Sequence, residues 1–241
     1  MSFDVYAGPL CRYYARAFQS PTQKLFPNAK TVQLGPDGNA LIVADQPSPL
    51  ELLPSIRGWQ RLITPRLTSA GVPPPEWDER IDAPTLTEQL THSGYWSIRL
   101  LAAYTEFPEL NEPLEPPTTE SLAADAALAC LRGNEIRSRY SHLHACEVWL
   151  PSRIAEPIDL ELPTGRTQPV GSVGLLRAEL AALLRNLGTE PPNALDLGDA
   201  QKPPAGASAS PLRCAAWHTL MQWMPLVDEA RQSRLPVLLD Y

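Results

Sequence analysis

Three groupings of side chains in this chain have types that could do chemistry. His142, His144 and Cys146 alternate. On one face of a predicted strand over 140–150 they could converge on a zinc ion. A fourth ligand is missing, however, and Cys146 continues into the apolar positions Val148 and Leu150. The favoured reading is a strand with an exposed start and a core end. Cys214 and His218 stand four apart in a predicted helix and share a face. A nucleophilic thiol needs a base and a third group to orient it, whereas Trp217 and Met221 surround this pair, so packing is favoured. Gly171-Ser172-Val173-Gly174 lacks the glycine two positions before the serine that a nucleophile elbow requires, and Ser172 stands where a helix cap belongs. Phosphate-cradling glycine loops are absent. The expectation is no catalytic site, no metal ligand and no cofactor.

The third grouping is acidic. Glu106, Glu109, Glu112, Glu115, Glu120 and Asp125 fall between Arg99 and Arg132 with no Lys or Arg among them. These six carboxylates compare with a whole-chain net charge of −7. Pro113, Pro116 and Pro117 make the stretch an extended connection, where carboxylates are expected to be solvated rather than paired for acid–base work. Asp78, Glu79 and Asp82 add to it from the preceding loop. A pI near 5.1 argues against nucleic acid as a direct partner, because phosphate binding needs clustered Lys and Arg. An acidic surface instead complements a basic protein. Arg12, Tyr13, Tyr14 and Arg16 read either as an exposed recognition arm or as packed against the neighbouring hairpin.

The elements that must position these groups follow from period and punctuation. The longest apolar helical pattern is GYWSIRLLAAYTEFPEL, with Trp96, Leu100, Ala103 and Phe107 on one face, Ser93 as cap and Pro108 as stop. Before it, Phe3, Val5 and Ala7 alternate as a strand, and 31–44 reads as a hairpin turned by Gly35-Pro36-Asp37-Gly38. Ser48-Pro49-Leu50-Glu51 starts a helix that Pro54 should interrupt, with a second helix over 55–69. Thr85 to Glu88 forms another capping box and predicts a short helix to about 91. After the acidic connection a helix is expected over 120–132, then strands at 158–162 and 165–172. Ser172 caps an amphipathic helix ended by Gly188, and Ser210-Pro211 opens a last helix to about 224. Residues 235–239 close the chain as a strand, and 189–210 is expected to be a flexible Pro/Ala/Gly/Ser loop. The sum is one α+β domain over 1–241. Its central sheet is mostly antiparallel and built from N-terminal, middle and C-terminal strands, with a helical block inserted at 48–133.

With 241 residues and 44% hydrophobic content the chain can bury a sizeable core. No apolar run is long enough to cross a bilayer, and the first residues lack a basic region followed by an apolar run, so a cytoplasmic protein is expected, monomeric or homodimeric. Its four cysteines form no CxxC pair and are expected to be free thiols.

The segments MSFDVYAGPLCRYYAR, GYWSIRLLAAYTEFPEL, HACEVWLPSR, PVGSVGLLRAELAALL and LPVLLDY together resemble a family of bacterial immunity proteins. Members are encoded beside polymorphic toxins delivered by contact-dependent or type VI secretion, and the subgroup nearest in pattern pairs with restriction-endonuclease-like nuclease toxins. The resemblance implies no enzymatic activity. It implies one-to-one binding of a cognate toxin, blocking its active site or nucleic-acid groove. It assigns no interface; the acidic residues are a candidate surface on charge alone. A secretion adaptor that holds an effector before export, and a small Cys/His hydrolase or metal enzyme, are the alternatives.

Overall fold

Phe3, Val5 and Ala7 alternate with Asp4 and Tyr6, and in the computed structural model they form β1 (Ser2–Ala7). The structure describes residues 2–20, 24, 33–34, 40–41, 47–74, 77, 79–133, 138–191 and 202–240. The remaining described strands are β2 (Gln33–Leu34), β3 (Ala40–Leu41), β4 (Leu86–Thr91), β5 (Val148–Leu150), β6 (Ile158–Glu161), β7 (Thr167–Ser172) and β8 (Val237–Asp240). Six of them form one sheet in the order β4-β1-β8-β5-β7-β6, in which only β5 and β7 run parallel. The fold is α+β, with N-terminal, middle and C-terminal strands side by side. β2 and β3 pair antiparallel as the expected hairpin, while its turn lies outside the described residues.

Successive strand residues point to opposite faces, and here both faces are covered. Val5, Ala7, Trp149, Val237 and Leu239 join one core beneath α3 (His92–Glu106), α7 (Val173–Asn186) and α8 (Pro211–Gln232). Tyr6, Val148, Leu150, Leu160 and Leu238 join a second core beneath α1 (Leu10–Tyr14) and α2 (Pro49–Ser69). A third cluster sits outside α3, where Leu100, Ala103 and Tyr104 meet α4 (Thr119–Ala124) and α5 (Ala126–Gly133). The last short helix is α6 (Ser141–Ala145).

Several expectations are corrected. α2 runs unbroken through Pro54 and Pro65. Pro54 forfeits only the amide that would bond the Leu50 carbonyl, and that turn is exposed, so water can serve it. The buried stripe Ile56, Trp59, Ile63 and Leu67 offsets the cost. The capping box at Thr85 starts no helix; Leu86 to Thr91 form β4 along the outer edge of β1, in register Ala7↔Leu86 to Ser2↔Thr91. That pairing satisfies the β1 edge and buries Leu90, so the inserted block contributes a strand as well as helices. Thr91, rather than Ser93, caps α3 by accepting from Gly94 N–H at 3.1 Å. The helix expected over 120–132 is two helices, because Asp125 turns extended (ψ 127°) between them. The strand expected from 140 is α6 followed by β5. Ser172 holds the cap position of α7 without a side-chain cap bond, and α8 runs past Met224 to Gln232. Within the stretch expected to be a loop, Ala207–Ala209 make a 3-10 turn with Ala207 buried, and 192–201 lie outside the described residues.

α3 and α8 cross closely. Tyr95 and Trp223 stand 6.0 Å apart by ring centroid, and Trp223 meets Trp149 of β5 edge-on at 5.8 Å. At the crossing, a Cβ on Gly94 would collide with Thr219 Oγ1 and lie 2.7 Å from Thr91 Oγ1. Both hydroxyls are already engaged, with the Ala215 carbonyl and the Gly94 amide. Overpacking of this kind costs about 1–3 kcal/mol, against about 1 kcal/mol gained from the better helix propensity of alanine. Gly94→Ala is therefore expected to lower the urea midpoint, and adding Thr219→Ala to restore only part of it, since the contact with Thr91 stays. A raised midpoint in the single variant would show that the helices do not approach this closely.

Candidate functional site

The acidic residues divide between internal partners and open surface. Glu112 lies against α8 in a two-pronged pair with Arg213, Nε to Oε1 at 2.8 Å and Nη2 to Oε2 at 2.7 Å. Two residues on, the Leu114 carbonyl accepts from Leu212 N–H at 3.0 Å. Asp125 caps α5 by accepting from Leu128 N–H at 2.9 Å, and its second oxygen takes the Tyr104 hydroxyl at 2.9 Å. Glu106 accepts from the Ser138 hydroxyl at 3.1 Å and from the Arg139 amide. These three carboxylates hold the connection and its neighbours together and are not the solvated groups their proline-rich surroundings suggested. Glu109, Glu115 and Glu120 are exposed, as is Leu114 at 68%. What remains exposed is Glu109, Leu114 and Glu115 on a stretch whose backbone is pinned to α8 at two points, and Glu120 in the first turn of α4.

The preceding loop gives less. Asp82 is exposed and paired with Arg80 at 2.7 Å. Asp78 lies outside the described residues. Glu79 is corrected: it is fully buried and cannot meet a partner. Its carboxylate accepts from Leu10 and Cys11 N–H at 3.1 and 3.2 Å and from Trp77 Nε1 at 2.9 Å. α1 begins after Pro9 with no side-chain cap of its own, so Glu79 supplies the cap from a distant segment. Glu179 of α7 repeats the device at α6, which also has no cap of its own. It accepts from His142 and Leu143 N–H at 3.1 and 2.8 Å. Burial pushes its carboxyl up to about 8, against the pull of those two amides.

The histidines and cysteines diverge. His142 is buried; its Nδ1 accepts from Ser172 N–H at 3.0 Å, which leaves Nε2 as the donor facing the Ala155 carbonyl at 3.3 Å. Neither nitrogen keeps a lone pair for a metal. The Cys146 thiol lies beside it, pushed up to about 12 by burial, and so is poor both as ligand and as nucleophile. His144 lines a different cavity, against Trp96 and Arg99. Cys214 is half-buried and His218 exposed, with no hydrogen bond between them among the described residues. The N-terminal aromatics are packed, on the second core, while most of the neighbouring hairpin lies outside the described residues: Tyr13 donates to Asp240 Oδ1 at 3.0 Å, Arg16 pairs with the same carboxylate, and both tyrosines join that core.

No family model, curated protein or solved structure matches the chain. Among the described residues no helix is long and apolar enough to cross a membrane.

The buried groups set a pH profile. Glu179 is raised from an ordinary 4.5, so its contribution to stability is full below about pH 4.5 and is lost as pH rises to about 8. His142 is lowered from 6.5 by burial; burial and then Arg99 lower His144 to about 3, so stability also falls as pH drops below about 6.5. Between pH 7 and 8 both histidines are neutral in the folded chain and mostly neutral in the unfolded one, so the Glu179 effect dominates. Across that window the wild-type chain is expected to lose up to about 1 kcal/mol of stability, and Glu179→Gln to lose little, measured by urea unfolding. An equal slope in both proteins would show that Glu179 is ionised throughout.

Proposed function

We propose that this chain is a non-enzymatic binder that neutralises a cognate protein toxin, a nuclease, by laying its acidic connection over the toxin's basic active site or nucleic-acid groove. The observation that carries the reading is the clamped connection. Glu112–Arg213 and the Leu114–Leu212 bond fix the backbone, so Glu109, Leu114 and Glu115 are held in place before any partner arrives, with Glu120 exposed at the start of α4. Preorganisation lowers the entropic cost of association. A nuclease must present positive charge to phosphates, and clustered carboxylates meet that charge with fast, steered encounter. Leu114 offers the apolar anchor that rim charges alone do not supply. The partner class rests on the sequence resemblance to immunity proteins. The unpaired Cys11, Cys130, Cys146 and Cys214 suit the cytoplasm, where such a toxin would act.

Co-expression with the product of the adjacent gene, followed by affinity purification and a growth assay, tests the reading. A stable complex with rescued growth supports it. A complex without rescue favours a secretion adaptor, and neither complex nor rescue overturns binding altogether. The surface is tested by Glu109→Lys with Glu115→Lys, leaving the structural Glu112 and the first-turn acid of α4, Glu120, in place. The association rate at low salt is expected to fall by about tenfold or more with the urea midpoint unchanged. An unchanged rate and affinity would place the interface elsewhere.

A further inference from the structure

Beside the start of α6, a cavity of about 550 Å3 opens between α7 and the segment 155–157. Leu175, Ala178, Glu179 and Ala182 line it at helical spacing, so one face of α7 forms its wall with Glu179 in the middle. Ala155, Glu156 and Pro157 stand opposite. Glu179 is deep in the wall but not sealed from it, keeping 8% of its surface open. Its two oxygens accept one amide each, from His142 and Leu143. A carboxylate offers about four acceptor sites, so capacity remains on both oxygens. What it lacks is a counter-charge: among the described residues no Lys or Arg pairs with it, and Glu106 adds to the negative potential. The Arg139 side chain, exposed at the mouth, is engaged instead by Glu106 and by the Thr105 carbonyl at 3.4 Å. A buried carboxylate without a cation is unfavourable, so the cavity favours a positive occupant. Such an occupant would draw off the proton that burial keeps on Glu179 at neutral pH.

We propose that this cavity binds a small organic amine, its ammonium on Glu179 and its alkyl body along Leu175, Ala178 and Ala182. An ammonium is a compact charge with three donors, and each Glu179 oxygen has room to accept one. A hard metal ion would need about six oxygen ligands, which an apolar wall does not supply. That wall also sets the ligand apart from bare ammonium, and the carboxylate sets it apart from a neutral hydrocarbon. The site goes beyond the toxin-binding reading and does not rest on it: Glu109, Leu114 and Glu115 take no part in the lining.

Calorimetric titration of the full chain with hexylamine, 1-hexanol and ammonium chloride tests the proposal, at about pH 8.5, where Glu179 is mostly ionised. Hexylamine is expected to bind one-to-one with Kd below about 1 mM, and each of the other two at least about tenfold more weakly. Glu179→Gln keeps the shape and removes the charge, and should weaken hexylamine by about tenfold or more. Glu179 also caps α6, so Ala178→Trp serves as the second variant. Ala178 is exposed at the cavity wall, and the indole would fill the space with the urea midpoint kept. Its binding of hexylamine should be abolished. No saturable hexylamine binding overturns the proposal. Equal binding of hexanol removes the cation site, equal binding of ammonium removes the apolar body, and unchanged binding in either variant places the ligand elsewhere; each also overturns it.

Discussion

The close crossing of α3 over α8 at Gly94 is the contact on which the rest of the molecule leans. α8 is followed by β8, which pairs with β1 on one side and β5 on the other. α3 follows β4 directly, and β4 pairs with the opposite edge of β1. Two helices in contact thus hold the strands on either side of the N-terminal strand. A methyl group at Gly94 would push against Thr219 and Thr91 together, so the interaxial distance is set by the missing side chain. The same crossing buries Trp223 against Tyr95 and Trp149. It also exposes the outer face of α3, where Leu100, Ala103 and Tyr104 receive the acidic connection and the two short helices after it.

An acidic chain has to place its charge, and this one spends carboxylates in three ways. Glu79 and Glu179 are buried as caps for short helices that lack their own. Glu106, Glu112 and Asp125 tie the connection to α8, to α5 and to the turn before α6. Glu109, Glu115 and Glu120 are left to the solvent. The second use sharpens the third, because a pinned backbone presents its free charges in one arrangement. Reversing every acid in the stretch would therefore confuse loss of structure with loss of binding.

Much of the fold was legible because its signals are local. β1 and β6 follow from alternation, the starts of α2 and α8 from their Ser-Pro caps, and the end of α7 from Gly188 at φ +79°. What misled was equally local chemistry overruled at long range. Thr85 to Glu88 has the pattern of a helix start, but the unpaired edge of β1 draws it into the sheet. His142, His144 and Cys146 alternate like strand residues, yet Glu179 caps a helical turn there from 36–37 residues away. Glu79 reaches its amides across 68–69 residues, and Arg213 reaches Glu112 across 101. No spacing rule in a single sequence reports such partners.

The account turns on whether the acidic connection is held in place before a partner arrives. Backbone 15N relaxation of the free chain reads this at Glu109, Leu110, Asn111, Glu112, Leu114 and Glu115. The clamped connection is expected to give order parameters near about 0.85, dropping below about 0.6 when Arg213→Ala removes the pair with Glu112. Values below about 0.6 already in the wild-type chain would contradict it, and the carboxylates would then be a solvated tether rather than a surface.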